Sequence, residues 1–337
     1  MSVMSGWGIV FALLLSALLP LVVKPLLRRL QVIDVPVGRS SHVVPTLRGG
    51  GIAPAVALTV ACPFIASGLD GSPAMLVGVV TIAAAAFAAL GFVDDLRHLS
   101  AGIRAAVQVL LGLLTCGFLV VVAGGPTWLF VLGPLAVAGY VNVTNFMDGV
   151  NTVSGLHGGV AGFSFAVVGI FAGVPWLMAS GACVGVAFLA FVPWNVLGSG
   201  MFLGDVGSYL LGAVVSLNAV AAVAVGVPLV AVVGPLVPYL VDTSTTLARR
   251  VAKGERWHEA HATHIYQKLA RRHGHLSSSL AVTLASICSA AAGMLAVVIP
   301  GGWIAALVGM SVVGFVYALL PRLDERFVTR KAPSLHV

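Results

Sequence analysis

The sequence predicts an all-α polytopic integral membrane protein with about eleven transmembrane helices. Composition is the first indication, since 59% of the 337 residues are hydrophobic, 9% are charged, and mean hydropathy is +1.06. The second is length, because the apolar stretches approach the ~20 residues that a helix needs to cross a bilayer. The third is charge, because all 18 Lys and Arg residues can be placed on one side of the membrane.

The predicted spans are residues 6–27, 51–68, 73–93, 105–123, 127–141, 155–173, 175–192, 206–225, 228–247, 276–299 and 303–320. Alternate threading with Met1 outside places the basic residues inside, with Lys24 at the inner end of the first span. Ten of the eleven acidic residues share that side, and Asp70 is the exception. The positive-inside rule makes this side cytoplasmic. An aromatic belt at the outer interface supports the threading: Trp7, Trp128, Trp176 and Trp303.

We predict one integral membrane domain over residues 1–337, with a short basic cytoplasmic tail from about residue 321. The amino terminus lacks the basic region and cleavage site of a removable signal peptide, so the first span is retained. The four cysteines lie in apolar spans without metal-ligand spacing, which predicts neither a disulfide nor zinc. Membrane topology explains the net charge of +7 better than nucleic-acid binding does. Many small residues allow close packing within a monomer or in a homodimer.

The first cytoplasmic loop, residues 34–51, reads D-V-P-V-G-R-S-S-H-V-V-P-T-L-R-G-G-G. It carries His42 and Arg48, and three consecutive glycines lie at the mouth of the second span. Glycine lets backbone N–H groups approach an anion, and Arg can bind phosphate through two parallel hydrogen bonds. Taken alone, the loop indicates either a phosphate-binding segment or a basic interfacial turn.

The second and third loops carry acids and amides. Asp94 and Asp95 lie at the end of the third span. Two adjacent acids at a membrane boundary can raise each other's pKa or bind a metal, and the alternative is a solvated turn. The third loop has four polar residues at intervals of three: Asn142, Asn145, Asp148 and Asn151. On a helical end these residues would lie close together. Oxygen ligands of this kind suit Mg²⁺, which leaves room for substrate phosphates, whereas the alternative is a polar helix cap.

The fourth loop has the sequence F-L-G-D-V-G-S at residues 202–208, in which Asp205 lies between glycines as a span begins. Asp205 or Ser208 could instead cap that helix. In the fifth loop, Asp242 ends the ninth span, and His261 and His264 follow three residues apart. On a helix the two histidines share a face and could reach a phosphate or a metal, or lie on an ordinary surface helix.

Taken together, the five loops place acids, amides, glycines, Arg and His on one face of the membrane, while the opposite face is nearly bare. This segregation favours a membrane enzyme. A polytopic transporter or flippase of a lipid-linked or anionic solute is the competing class, and it predicts ionisable residues near the bilayer midplane and broken helices in paired halves. The clustered D-G-x-x-A-R pattern of CDP-alcohol phosphotransferases is absent from the sequence.

These residues resemble the motifs of the polyprenyl-phosphate N-acetylhexosamine-1-phosphate transferases, a family of glycosyltransferase family 4 type. The family pattern runs D-x-P-x-x-R-x-x-H-x-x-P-T-P-R-G-G-G, then D-D, then N-x-x-N-x-x-D-G-[ILV]-[DN]-G, then F-[LM]-G-D-x-G-S, then a His-rich loop. The motifs here cover residues 34–269, and H-A-T-H-I-Y-Q resembles the branch that initiates O-antigen, capsule or teichoic acid chains. Two residues depart from the pattern: Leu47 replaces a proline, and Thr152 replaces a glycine.

The resemblance implies that a UDP-N-acetylhexosamine gives its sugar 1-phosphate to undecaprenyl phosphate, releasing UMP, at the cytoplasmic face of a bacterial inner membrane. It implies Mg²⁺, with Mn²⁺ as the alternative, held by Asn145 and Asp205. Asp94 and Asp95 would be the catalytic residues, which position or deprotonate the lipid phosphate or assist in binding the metal. The implied substrate-binding residues are His42, Arg48, Asp148, Asn151, His261 and His264.

Overall fold

The structure is a computed structural model that describes residues 3–35, 45–197, 200–255 and 262–331, with side chains described as far as residue 323. Two short strands, β1 (Ile33–Asp34) and β2 (Thr46–Leu47), pair in antiparallel register. The described helices are α1 (Val3–Leu18), α2 (Pro20–Arg29), α3 (Ile52–Ala66), α4 (Ser72–Arg97), α5 (Ala101–Ala123), α6 (Leu129–Met147), α7 (Val153–Phe171), α8 (Pro175–Val196), α9 (Gly204–Ala224), α10 (Leu229–Val233), α11 (Val237–Ala252), α12 (Ile265–His273), α13 (His275–Val298) and α14 (Trp303–Lys331).

The described part of the chain has nine helical segments long and apolar enough to cross a membrane, with α10 and α11 acting as one segment. The bent pair α1 and α2 raises the number to ten. Helix α3 is apolar but has only 15 residues, so it falls short of the usual spanning length. The predicted class, an all-α polytopic membrane protein, is confirmed, while the count of eleven and the cytoplasmic orientation remain predictions.

Local sequence signals define the hairpin formed by α4 and α5. Helix α4 ends at His98, which adopts a left-handed conformation with φ 50°. The side chain of Ser100 then caps α5 by accepting a hydrogen bond from the backbone N–H of Ile103. Because this connection is so short, the last turn of α4 lies beside the first turn of α5.

Helix α9 is the central helix of the bundle. All of its residues except Asp205 are buried, and it packs against α3, α4, α5, α6, α7 and α8. Small residues permit this packing: a Cβ added at Gly212 would lie 2.4 Å from Thr144 Oγ1 of α6. The first turn of α9 therefore holds Asp205 at the end of the most buried helix.

Three predicted boundaries differ from the structure. Helix α6 continues to Met147, so Asn142 and Asn145 lie in its last two turns and not in a loop. Helix α4 runs to Arg97, so Asp94 and Asp95 are buried helical residues. Helix α14 continues beyond the predicted span 303–320, through Pro321 to Lys331, and the cytoplasmic location of this basic segment stays a prediction. In α4 and α6, hydrogen bonds to neighbouring helices satisfy these polar side chains, which allows the helices to extend beyond the apolar run.

Candidate active site

Arg48 joins the first loop to two acids on different helices. Its Nε lies 2.7 Å from Asp95 Oδ1, and its Nη2 donates a hydrogen bond of 2.9 Å to Asp205 Oδ1. The planar guanidinium binds the two carboxylates through two different nitrogens held at a fixed separation, a geometry that the single nitrogen of an ammonium group cannot reproduce. The structure thus brings together three residues that are 47 and 110 positions apart in sequence, and all three were predicted to belong to the site.

Asp95 also caps the amino terminus of α9. Its Oδ1 accepts the backbone N–H of Asp205 and its Oδ2 accepts the backbone N–H of Val206, both at 3.0 Å. The first backbone N–H groups of a helix have no partner within the helix, and the positive end of its dipole favours a carboxylate there. This tertiary cap was not predicted, because capping by Asp205 or Ser208 was considered only as the alternative to a role of this loop in the site. Asp95 fixes where Asp205 lies.

Asp94 is held in a separate network. Its Oδ2 accepts hydrogen bonds from Arg104 Nη1 at 3.0 Å and from Tyr209 Oη at 2.9 Å, and its Oδ1 accepts the backbone N–H of Leu99 at 2.8 Å. Both oxygens of this buried carboxylate are therefore occupied. The catalytic role predicted for Asp94 and Asp95 stays a prediction, and their geometry in this structure is that of residues that position others.

Asn145 and Asp205, the predicted metal pair, are in contact. Asn145 Nδ2 donates to Asp205 Oδ1 at 3.3 Å. Among the described residues, none forms a hydrogen bond with Asn145 Oδ1 or Asp205 Oδ2, so one oxygen of each side chain remains available to a ligand. Asn142 lies elsewhere, because its amide donates to Gln108 Oε1 at 2.6 Å and to the carbonyl oxygen of Ala138.

A metal at this position would have few protein ligands. Within the described residues, no group of three or more His, Cys, Asp or Glu side chains has metal-binding geometry. An amide oxygen and one carboxylate oxygen nevertheless fit Mg²⁺, which commonly keeps several waters and takes substrate phosphates as ligands. Arg48 already neutralises part of the negative charge of Asp205, so a cation would compete with its guanidinium for this carboxylate.

Asp148 and Asn151 lie in the turn between α6 and α7. Ser154 Oγ donates to Asp148 Oδ1 at 2.6 Å. Removal of the Asp148 carboxyl from water raises its pKa to about 7, against the opposing effect of the Ser154 hydrogen bond. Near neutral pH this side chain can therefore be protonated and donate a hydrogen bond.

The backbone of Asn151 is fixed on both sides by α13. Its N–H donates to His275 Nδ1 at 3.3 Å, and its carbonyl oxygen accepts from Ser279 Oγ at 2.8 Å. Among the described residues its carboxamide has no hydrogen-bond partner and is partly exposed, which suits the predicted contact with a substrate. Thr152, the next residue, has φ 71°, and its backbone N–H donates to Asn195 Oδ1. This left-handed conformation is one that glycine adopts more readily than threonine, which accounts for the glycine at this position in the motif that the loop resembles.

His264 is buried in contact with Asp242. Its Nδ1 lies 2.9 Å from Asp242 Oδ1, and the residue is only 2% exposed. The predicted contact between His264 and the donor stays a prediction, and the observed partner is an acid. His42 and His261 lie outside the described residues.

The consecutive glycines of the first loop allow it to pack closely against the start of α9. The backbone N–H of Gly50 donates to the carbonyl oxygen of Phe202, and that of Gly51 donates to the carbonyl oxygen of Leu203. A Cβ at Gly51 would lie 2.2 Å from Gly207 Cα. The N–H groups of Gly50 and Gly51, which were expected to approach an anion, instead tie the loop to the start of α9.

Arg104 and Tyr209 were missed as site residues. Arg104 was considered only for its charge, although it follows Asp94 by ten residues across a short turn. Tyr209 follows Asp205 by four residues, so it lies on the same face of α9. Both spacings were visible in the sequence, but the contact with Asp94 depends on how α4, α5 and α9 pack.

The fold and this cluster define a polytopic membrane protein with an ion-paired polar site at one end of its helices. A family model described as glycosyl transferase family 4 matches residues 76–223. A probable undecaprenyl-phosphate N-acetylglucosaminyl 1-phosphate transferase of Bacillus subtilis (strain 168) is 27% identical over 282 residues, which cover 77% of each chain.

A phospho-N-acetylmuramoyl-pentapeptide-transferase of Thermosynechococcus vestitus is 30% identical over 247 residues, covering 62% of this chain and 61% of that protein. Over residues 76–223 the chain is therefore similar to glycosyl transferase family 4.

Proposed function

We propose that this protein transfers a sugar 1-phosphate from a UDP-N-acetylhexosamine to undecaprenyl phosphate, with release of UMP, as the first membrane step of a cell-surface glycan. The observation that carries the proposal is the convergence of Arg48, Asn145 and Asp205, from three separate parts of the chain, where helices end. The acceptor phosphate is attached to a lipid that stays in the bilayer, whereas the donor is water-soluble. A site at the helix ends lets the two meet.

Phosphoryl transfer requires charge neutralisation and in-line placement of the reacting groups more than covalent chemistry by the protein. Asn145 Oδ1 and Asp205 would hold Mg²⁺, which when bound neutralises the donor pyrophosphate. Arg48 supplies a fixed positive charge beside Asp205 and can turn toward a phosphate. Asp148 and Asn151 lie in the turn that follows Asn145 and would contact the nucleotide end of the donor.

Asp95 contributes through position. By capping α9 and pairing with Arg48, it holds Asp205 and the guanidinium in a fixed relation. Asp94 likewise holds the guanidinium of Arg104 in place through an ion pair. Either carboxylate could act on the acceptor phosphate only after exchanging one of these partners for it.

The test is UMP release by the purified protein in detergent, given Mg²⁺, undecaprenyl phosphate and a panel of UDP-N-acetylhexosamines. Transport across a membrane is impossible under these conditions, so UMP release separates the transferase from a transporter. Asp205→Ala should abolish release, whereas Asp70→Ala, at an exposed acid away from the cluster, should leave it unchanged. Absence of UMP with every donor in the panel would refute the proposal, and near-normal turnover of Asp205→Ala would remove Asp205 from the metal role.

A further inference from the structure

A second buried network lies beside the site and centres on Asp242 of α11. This residue is fully buried, and its carboxylate accepts the backbone N–H groups of Ile265 and Tyr266 at 3.0 and 2.9 Å. It also accepts the hydroxyl of Tyr317 at 2.9 Å. His264 Nδ1 lies 2.9 Å from Asp242 Oδ1. Through these contacts Asp242, on α11, binds both the amino terminus of α12 and the side chain of Tyr317 on α14.

Tyr266 extends this attachment into the site. Its hydroxyl donates to the carbonyl oxygen of Phe146 at 2.8 Å and accepts the backbone N–H of Gly149 at 3.0 Å. Those two residues belong to the turn that follows Asn145 and contains Asp148. A single buried hydroxyl therefore closes the turn on which a predicted metal ligand and a predicted nucleotide contact depend.

The glycine at position 149 is an independent sign of this contact. A Cβ added there would lie 2.6 Å from Tyr266 Oη, closer than real side chains approach. Any other residue would push Tyr266 out of the turn. The close approach thus explains, from this structure, why the third loop needs glycine directly after Asp148.

We infer that Tyr266, anchored through Asp242, is a positioning residue that sets the geometry of the 145–151 segment for the transfer reaction. The inference rests on the proposed function. The brace formed by Asp242, α12 and Tyr266 touches no reacting atom. It keeps the side chains of the turn in place while donor and acceptor bind and leave.

Tyr266→Phe removes the hydroxyl alone. Because misplacement of reacting groups acts mainly on the transition state, UMP release at saturating substrate should fall about tenfold, with a smaller change in KM for the donor. Hydrogen exchange of the Gly149 amide should become faster. The matched control is Tyr140→Phe on α6, which removes another buried hydroxyl that lies 2.6 Å from its partner, His157 Nε2, outside the turn. The control should keep turnover and exchange in residues 146–152 unchanged.

Gly149→Ala perturbs the same contact from the opposite side. It therefore tests the contact between Gly149 and Tyr266 even if Tyr266→Phe does not fold. In the wild-type background it should reduce turnover, and in the Tyr266→Phe background its additional effect should be smaller, because the clashing oxygen is gone. Wild-type turnover and wild-type exchange in Tyr266→Phe would overturn the inference. Equal losses of turnover in Tyr266→Phe and Tyr140→Phe would also overturn it. Exchange is measurable without any turnover, so failure of the proposed function and failure of the brace remain distinguishable.

Discussion

Asp95 caps the helix that presents Asp205: the carboxylate of the first accepts the backbone N–H of the second at 3.0 Å, across 110 residues of sequence. The same carboxylate pairs with Arg48, which also binds the side chain of Asp205. The position of the proposed metal ligand is therefore set by a neighbouring acid and a shared cation. A change to any of the three should affect the other two.

Asp95→Asn should destabilise the protein and reduce UMP release together. An amide has one acceptor oxygen where the carboxylate has two, and it loses the charge that pairs with Arg48. We expect a free energy of unfolding lower by about 2–3 kcal/mol, seen as a lower melting temperature in detergent. The control, Asp70→Asn, changes an exposed acid and should stay within about 0.5 kcal/mol. Equal melting temperatures for the two variants would contradict the capping role.

Arg48→Lys should reduce turnover even though the charge is kept. A lysine ammonium has one nitrogen where arginine uses two, Nε and Nη2, at 2.7 and 2.9 Å from the two carboxylates, so the substitution loses the fixed geometry of the bridge. We expect UMP release at saturating donor to fall about tenfold or more. Arg97→Lys, at an exposed position on α4, is the matched control and should behave as the wild type. Wild-type turnover in Arg48→Lys would show that the bridge does not matter to the reaction.

Thr152→Gly should stabilise the protein. Thr152 has φ 71°, and its buried hydroxyl has no hydrogen-bond partner among the described residues. The left-handed conformation costs a non-glycine residue about 1–2 kcal/mol, partly offset by the larger entropy that glycine loses on folding. A net gain of about 1 kcal/mol should raise the melting temperature. Thr152→Ala removes the hydroxyl but keeps Cβ, so an equal gain there would show that backbone strain is not the cause.

The orientation of the bundle can be tested by thiol labelling in intact cells, in a background without the four native cysteines. Asp70→Cys should react with a membrane-impermeant maleimide from outside. Ala101→Cys, exposed at the start of α5 beside the site, should react only after the membrane is opened. The reverse pattern would place the site on the outer face and would contradict the positive-inside threading.

The candidate site was predictable in part. The residues Arg48, Asp95, Asn145 and Asp205 were identified from their motifs, and the structure connects them through contacts of Arg48 with both acids and of Asn145 with Asp205. Asn142 shares the spacing of Asn145, yet it bonds to Gln108 on α5. A spacing of three residues places two side chains near each other on one helix, but it does not say which neighbouring helix each will face.

The network around Asp242 was beyond prediction for a similar reason. The sequence marked Asp242 as an acid at the end of a span and the histidines as phosphate or metal contacts. The structure shows Asp242 accepting donors from α12 and α14, with His264 among them. These partners lie 22 to 75 residues away, and no local pattern relates them.

By itself the sequence determined the polytopic class and the residue types of the candidate site, while the side on which charge collects stays a prediction. Runs of apolar residues are enough for the class, because the bilayer restricts spanning segments to hydrogen-bonded helices of suitable length. Tertiary structure decided which oxygen atoms are occupied and which remain open. Whether an oxygen atom is occupied depends on hydrogen bonds between helices. These form only where packing brings a donor within about 3 Å of an acceptor.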